Sequence, residues 1–157
     1  MQVTSETILI IDYGSQYTQL IARKIREQNV YCIVHPYNKI KSNNLKNKSL
    51  SGVILSGGPN SVKDKKSPKL DKKIIDLNIP ILGICYGMQL LIHKSGGIIE
   101  SANNREYGST EIMHNNQSKL MSGINKEFYV WMSHGDKIKK LDSNWNIISK
   151  SKNNIIS

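Results

Sequence analysis

Four short apolar runs, each closed by a chain-breaking turn, constrain this chain more than any other feature. Thr7–Ile11 (TILII) ends in Asp12-Tyr13-Gly14-Ser15. Tyr31–His35 (YCIVH) stops at Pro36, and Gly52–Leu55 (GVIL) stops at Ser56-Gly57-Gly58-Pro59. Pro80–Ile84 (PILGI) runs straight into a helical period over Tyr86–Lys94, with Met88, Leu91 and Ile92 on one face. Runs this short, β-branched and bounded by Gly or Pro, read as buried strands. Between them, Tyr17, Leu20, Ile21, Ile25 and Gln28 trace one helix face, and Leu70–Leu77 reads as a further helix. Strands alternating with helices predict an α/β fold: a mainly parallel sheet with helices on both faces.

The second half has a different grain. Gly96-Gly97 ends the helix, and three short alternating pieces follow at Thr110–Met113, Phe128–Met132 and Trp145–Ser149. They predict a small antiparallel extension of the parallel core. The Asn/Lys-rich stretch Asn38–Ser49 reads as a loop or a short exposed helix. With 157 residues the expectation is a single domain spanning 1–157. Asn154–Ile156 looks like the start of another strand, so that domain is expected to be incomplete at its C-terminus, with a final strand and helix missing.

The formal charge of +10 invites a nucleic-acid partner, but the composition argues against one. Of 22 basic residues only Arg23, Arg26 and Arg105 are arginine, and the lysines scatter over polar loops. Base and phosphate recognition favours arginine forks. Lys, Asn and Ile make up 58 of the 157 residues, the bias of an AT-rich coding sequence rather than of a binding surface. No apolar run approaches the roughly 18–20 residues of a membrane span, and Met1–Ile11 lacks the features of a signal peptide. Cys32 and Cys85 both lie in apolar surroundings and read as reduced thiols, so a cytoplasmic protein with no nucleic-acid or membrane partner is expected.

The residues with chemical promise cluster where strands end. Gly83-Ile84-Cys85-Tyr86-Gly87 sits between a strand and a helix, the setting of a nucleophile elbow. That turn needs small residues two positions either side of the nucleophile, and Gly83 and Gly87 supply them. The Tyr86 N–H would then face a developing oxyanion, and the helix N-terminus would favour the Cys85 thiolate. Cys32 has no such frame and reads as core. The Ser56-Gly57-Gly58-Pro59 turn could bring further N–H groups to a ligand. In Trp131-Met132-Ser133-His134-Gly135-Asp136, His134 could serve as general base, or His134 and Asp136 could shape a loop at the pocket mouth. His93 reads as surface and His35 as a strand end. No GxGxxG, no GxxxxGK[ST] and no clustered metal ligands occur, so no nucleotide or metal site is expected in this chain.

Taken together, ILIIDYGSQYTQLIARKIREQNVYC, VILSGGPNSV, GICYGMQLL, REYGS and VWMSHGDK resemble the GMP synthetase branch of the class I glutamine amidotransferases, from about Thr7 to about Ser149. CYGMQ, DYGSQYTQLIAR and WMSHGD point to that branch in particular. The resemblance implies a flavodoxin-like class I fold. It implies glutamine hydrolysis at a cysteine through a glutamyl thioester, with the ammonia used in ATP-dependent conversion of XMP to GMP. Under it, Cys85 is the nucleophile, Gly58 and Tyr86 form the oxyanion hole, and Gln89 with the Ser133–His134 loop lines the glutamine pocket. The implied partner is an ATP-pyrophosphatase module or subunit, with ATP and Mg expected there and no cofactor in this chain. The branch takes its base from a His in an FHPE-like turn. No FHPE occurs in these residues, and the one His-Pro, His35-Pro36, lacks the Glu. The expectation is therefore a chain inactive by itself, or alternatively a non-catalytic amidotransferase-like binding protein.

Overall fold

In the computed structural model, residues 6–40, 45, 49–115, 118–153 and 155–156 are described, the stretches 102–107 and 133–134 by their backbone alone. The chain divides into two compact units, Met1–Lys94 and Ser95–Ser157.

The first unit is built on a four-stranded sheet. Its strands are β1 (Thr7–Asp12), β2 (Tyr31–Pro36), β3 (Leu50–Leu55) and β4 (Ile81–Gly83), in the order β2-β1-β3-β4. Every pairing is parallel. Helices α1 (Thr18–Glu27), α2 (Lys72–Ile75) and α3 (Tyr86–Lys94) accompany these strands. The chain steps one way from β1 to β2, then returns across β1 to β3. The turns after β1 and β3 thus flank a topological switch point, where ligands bind in open α/β sheets.

The two sheet faces are covered by different helices. Ile10 and Cys32 pack with Ala22 of α1, joined by Ile8, Ile21, Ile25, Val34 and Ile54. Leu55 points the opposite way from Ile54 and meets α3 at Gly87. Cys32 lies in the core, its thiol donating to the Ala22 carbonyl at 3.4 Å. Helices therefore lie on both faces of a parallel sheet, as the alternation predicts.

Several sequence expectations need correction. The buried positions of α1 are Thr18 and Ala22, with Ile21 and Ile25 half-buried; Tyr17 and Leu20 are 53% and 48% exposed, and Gln28 lies beyond the helix. The Leu70–Leu77 helix shrinks to one turn, Lys72–Ile75, started by Asp71, whose carboxylate accepts from the Lys73 N–H at 3.0 Å. On α3, Tyr86, Gly87, Gln89, Leu90 and Ile92 are all buried, whereas Met88 and Leu91 are only half-buried. The helix is enclosed on most sides rather than along one stripe.

The second unit is an antiparallel sheet of β5 (Ile98–His114), β6 (Glu127–Lys140) and β7 (Ser149–Ser151), in the order β6-β5-β7. Two of the expected short pieces are thus parts of strands of 17 and 14 residues. Trp145–Ser149 is not a strand: Trp145 sits in a turn, its indole N–H donating to Ser95 Oγ at 2.7 Å, and only Ser149 joins β7. Near the end, Ile156 bridges Lys150 in antiparallel fashion. Most of the Asn38–Ser49 expectation falls outside the described residues, apart from a 3-10 turn at Tyr37–Lys39 and a buried Leu45. No helix among the described residues is long and apolar enough to cross a membrane.

Candidate active site

Three turns converge at the carboxyl ends of β1, β3 and β4. After β1, the Asp12 carboxylate gathers the chain into a tight bend. Its Oδ1 accepts from the Gly14 N–H at 2.9 Å, the Ser15 N–H at 3.3 Å and the Thr18 hydroxyl at 2.8 Å. Ser15 in turn caps the approach to α1, its Oγ accepting from the Tyr17 N–H at 3.1 Å.

After β3, Ser56 ties this bend to the glycine turn. The Tyr13 N–H donates to Ser56 Oγ at 2.9 Å, and the Ser56 hydroxyl donates to the Gly57 carbonyl at 2.8 Å. The backbone closes the same link, with the Ser56 N–H donating to the Ile11 carbonyl at 3.0 Å. Glycine is required at 58 because a Cβ there would lie 2.6 Å from the Tyr13 carbonyl oxygen.

After β4, the chain reverses into α3 through Cys85, which holds φ at 51°. A non-glycine residue in this left-handed region carries backbone strain, the mark of a nucleophile elbow. Both flanking glycines are sterically required. A Cβ at Gly83 would lie 2.5 Å from the Met88 nitrogen, and one at Gly87 would collide with the Leu55 carbonyl. The elbow is pinned to β3 by two bonds: the Ile84 N–H donates to the Leu55 carbonyl at 2.9 Å, and the Gly87 N–H donates to the Ser56 carbonyl at 3.1 Å.

These turns bring the predicted residues of the first unit together. A Cβ built on Gly57 would lie 3.6 Å from Cys85 Cβ and 3.5 Å from Ser15 Oγ, so the thiol-bearing carbon and the Ser15 hydroxyl border one small space. Cys85 is half-buried and forms no disulfide. Among the described residues, the N–H groups of Gly58 and Tyr86 donate to no protein acceptor. Gln89 is buried one helical turn on, its N–H donating to the Cys85 carbonyl at 3.1 Å.

The Tyr86 side chain turns away from this space into the core. Its phenol donates to the Pro68 carbonyl at 2.5 Å. Its ring meets Tyr13 edge-on, with centroids 5.5 Å apart, and Tyr37 stacks on the Tyr13 ring at 5.7 Å. Burial pushes both the Tyr13 and the Tyr86 phenols above the ordinary tyrosine range. The loop that carries Pro68 is itself braced by Lys69, whose ammonium donates to the Val62 carbonyl, the Asp64 carbonyl and Ser67 Oγ.

Ser133 and His134 do not form a loop. They lie within β6, paired with Tyr107 and Glu106 of β5. The strand runs on through Gly135-Asp136, where its pairing with β5 shifts register between Ser101 and Glu106, and the two side chains lie outside the described features. His93 is exposed, and His114 is a buried core residue whose ring contacts the Asn125 carbonyl at 2.9 Å. No group of three or more His, Cys, Asp or Glu among the described residues is placed to hold a metal ion. The sequence marks the turns that hold Tyr13, Ser15 and Ser56 but gives these three side chains no role, because only strand order places them beside the elbow.

Residues 9–157 match the family model for glutamine amidotransferase class-I. The chain is 46% identical over 153 residues to a GMP synthase [glutamine-hydrolyzing] of Brachyspira hyodysenteriae, covering 98% of this chain and 30% of the relative. It is 48% identical over 153 residues to the protein of that description from Caldanaerobacter subterraneus, again covering 98% and 30%. The chain thus spans about a third of the length of these curated relatives. Among solved structures, a Thermoplasma acidophilum protein described as a GMP synthase component superposes with a TM-score of 0.75 at 26% identity, covering 94% of this chain and 74% of that one. A glutamine amidotransferase from Thermotoga maritima shares the fold, with a TM-score of 0.76 at 21% identity, covering 97% and 70%.

Proposed function

The chain belongs to the class-I glutamine amidotransferase family, and from that premise we propose that Cys85 attacks the side-chain amide of glutamine. The observation that carries the reading is the left-handed backbone at Cys85, in a turn whose two glycines admit no other residue. A strained strand-to-helix turn lifts the thiol to the edge of the sheet, and the N-terminus of α3 favours its ionised form. The Gly58 and Tyr86 N–H groups would receive the negative charge that develops on the amide oxygen. Preorganised donors of this kind are worth about 10²–10³ in rate each. Collapse of the tetrahedral adduct would expel ammonia and leave a glutamyl thioester on Cys85, which water then hydrolyses. Gln89, Ser133 and His134 are proposed to contribute to the glutamine pocket.

The ammonia is proposed to serve amination of XMP to GMP on an ATP-pyrophosphatase module, which would bind ATP and Mg. The similarity to glutamine-hydrolysing GMP synthases about three times as long supports this. A cytoplasmic setting fits two thiols that form no disulfide. Ammonia must leave protonated and water needs a base, tasks the family resemblance gives to a histidine absent from these 157 residues. A polypeptide limited to them is expected to release ammonia from glutamine near background, and robust turnover lost in His134→Ala would assign the base to His134 instead.

Labelling tests the nucleophile directly. A glutamine-derived diazoketone is expected to modify Cys85 and leave the buried Cys32 untouched, read by peptide mass spectrometry. An adduct that survives Cys85→Ser would overturn the assignment.

A further inference from the structure

We propose that Tyr13 is a positioning residue that sets the spacing between the Gly58 and Tyr86 N–H groups; this rests on the reading of Cys85 as the nucleophile. Tyr13 touches both donor segments from behind. Its backbone lies directly beneath Gly58, where an added Cβ would meet the Tyr13 carbonyl oxygen at 2.6 Å and Tyr13 Cβ at 3.3 Å. Its ring packs edge-on against Tyr86, at 5.5 Å and 61°. Neither contact can drift. The Tyr13 N–H is held by Ser56 Oγ, and Tyr37 stacks on the ring at 12° from parallel. Tyr86 is fixed at its far end by the phenol bond to Pro68. The Tyr13 ring is thus a rigid wedge, and its thickness decides how far apart the two donors stand.

The consequence is specific. Displacement of a catalytic group by about 1 Å can cost roughly 10²-fold in rate. Thinning the wedge should slow only reactions in which an oxyanion develops. The γ-p-nitrophenyl ester of glutamate provides such a reaction. The Cys85 thiolate adds to its γ-carbonyl, the carbonyl oxygen takes the negative charge, and collapse releases p-nitrophenolate and leaves a thioester. That leaving group needs no proton, so the burst reads acylation alone. Iodoacetamide provides the control, because displacement of iodide by the same thiolate develops no oxyanion.

The test compares the full chain with Tyr13→Phe, Tyr13→Leu and Tyr37→Leu, measuring burst rate above the spontaneous ester rate and Cys85 alkylation by iodoacetamide. Tyr13→Phe keeps the wedge and should stay within about twofold in both. Tyr13→Leu should lose about 10–100-fold in burst rate at unchanged half-saturation, with alkylation within about twofold. Tyr37→Leu touches only the partly exposed outer ring, so it keeps the test open should Tyr13→Leu not fold; it should show the same selective loss, smaller in size. Equal losses in both reactions, or no loss in the folded variants, would overturn the inference. A parent chain with no burst that Cys85→Ser removes would instead overturn the nucleophile assignment, and this inference with it.

Discussion

Two sets of three glycines, one in each unit, answer to opposite needs. At Gly58, Gly83 and Gly87 of the first unit, ordinary backbone angles accompany an absolute lack of space: a Cβ would strike the backbone of Tyr13, Met88 or Leu55. At Gly96, Gly108 and Gly123 of the second unit nothing lies within 4 Å of an added Cβ, but φ is strongly positive. The first set holds backbone against backbone, which puts three turns beside Cys85. The second set bends the chain where there is open space, Gly108 within β5 and Gly96 and Gly123 in the turns ahead of β5 and β6. Close packing of main chain is therefore concentrated where the site is, and the antiparallel unit tolerates adjustment.

Substitutions that add a single methyl group should separate the two regimes. Gly87→Ala has the largest expected effect, because the obstruction is the β3 backbone at Leu55 and neither partner can swing away. A loss of at least about 3 kcal/mol, the upper range for overpacking, is expected in denaturant unfolding. Gly108→Ala meets only the conformational penalty of about 1–2 kcal/mol for an L-residue at positive φ. If the two variants lost equal stability, the distinction between crowding and conformation would fail.

A smaller change of opposite sign is expected at the elbow. Cys85→Gly relieves about 1–2 kcal/mol of left-handed strain and costs about 0.5–1 kcal/mol in unfolded-chain freedom. The net is a gain of roughly 0.5–1 kcal/mol in the first unit, with complete loss of labelling. A destabilised Cys85→Gly would mean that the thiol contributes more to packing than its half-buried position suggests.

The smallest effect belongs to the surface of the second unit. Glu100 pairs with Lys139 at 2.9 Å and Lys137 at 3.4 Å, and the hydrogen bond from Lys139 leads in holding its carboxyl below the usual range. A carboxyl depressed on folding adds stability above its unfolded pKa, and that stability is lost as pH falls through the folded value. Glu100→Gln should therefore lower the unfolding midpoint slightly at neutral pH and leave it unchanged in acid. Because the group is solvent-exposed, added salt should erase the difference.

The sequence is most legible where local chemistry and tertiary position agree. TILII, GVIL and the Gly-x-Cys-x-Gly turn announce buried strands and an elbow, since β-branched runs and paired glycines have few alternative uses. It is least legible where contacts decide. Tyr17 and Leu20 look like core by type, yet α1 turns Thr18 and Ala22 inward, with Ile21 and Ile25 beside them, and leaves Tyr17 and Leu20 exposed. The long ribbon hides because β5 carries Asn, Arg, Glu and Gly through its middle, and no apolar alternation marks it. Ser133 and His134 resemble a loop because Gly135-Asp136 follows them, but pairing with β5 decides their conformation. Tyr13 and Ser56 are 43 residues apart and meet only because β1 lies next to β3, which no local pattern encodes.

The division of labour within Tyr86 has a consequence for directed evolution. Its peptide adjoins the thiol, while its ring and hydroxyl serve the interior. A library of random variants screened for folding alone would keep an aromatic at 86 and glycine at 83 and 87, and so recover most of the Cys85 turn with no demand for activity. Position 85 would be the exception. Under that screen it should wander toward glycine or asparagine, the residues that rest easily in the left-handed region. A screen for thiol labelling would then have one codon to restore, and the scaffold around it would already be waiting.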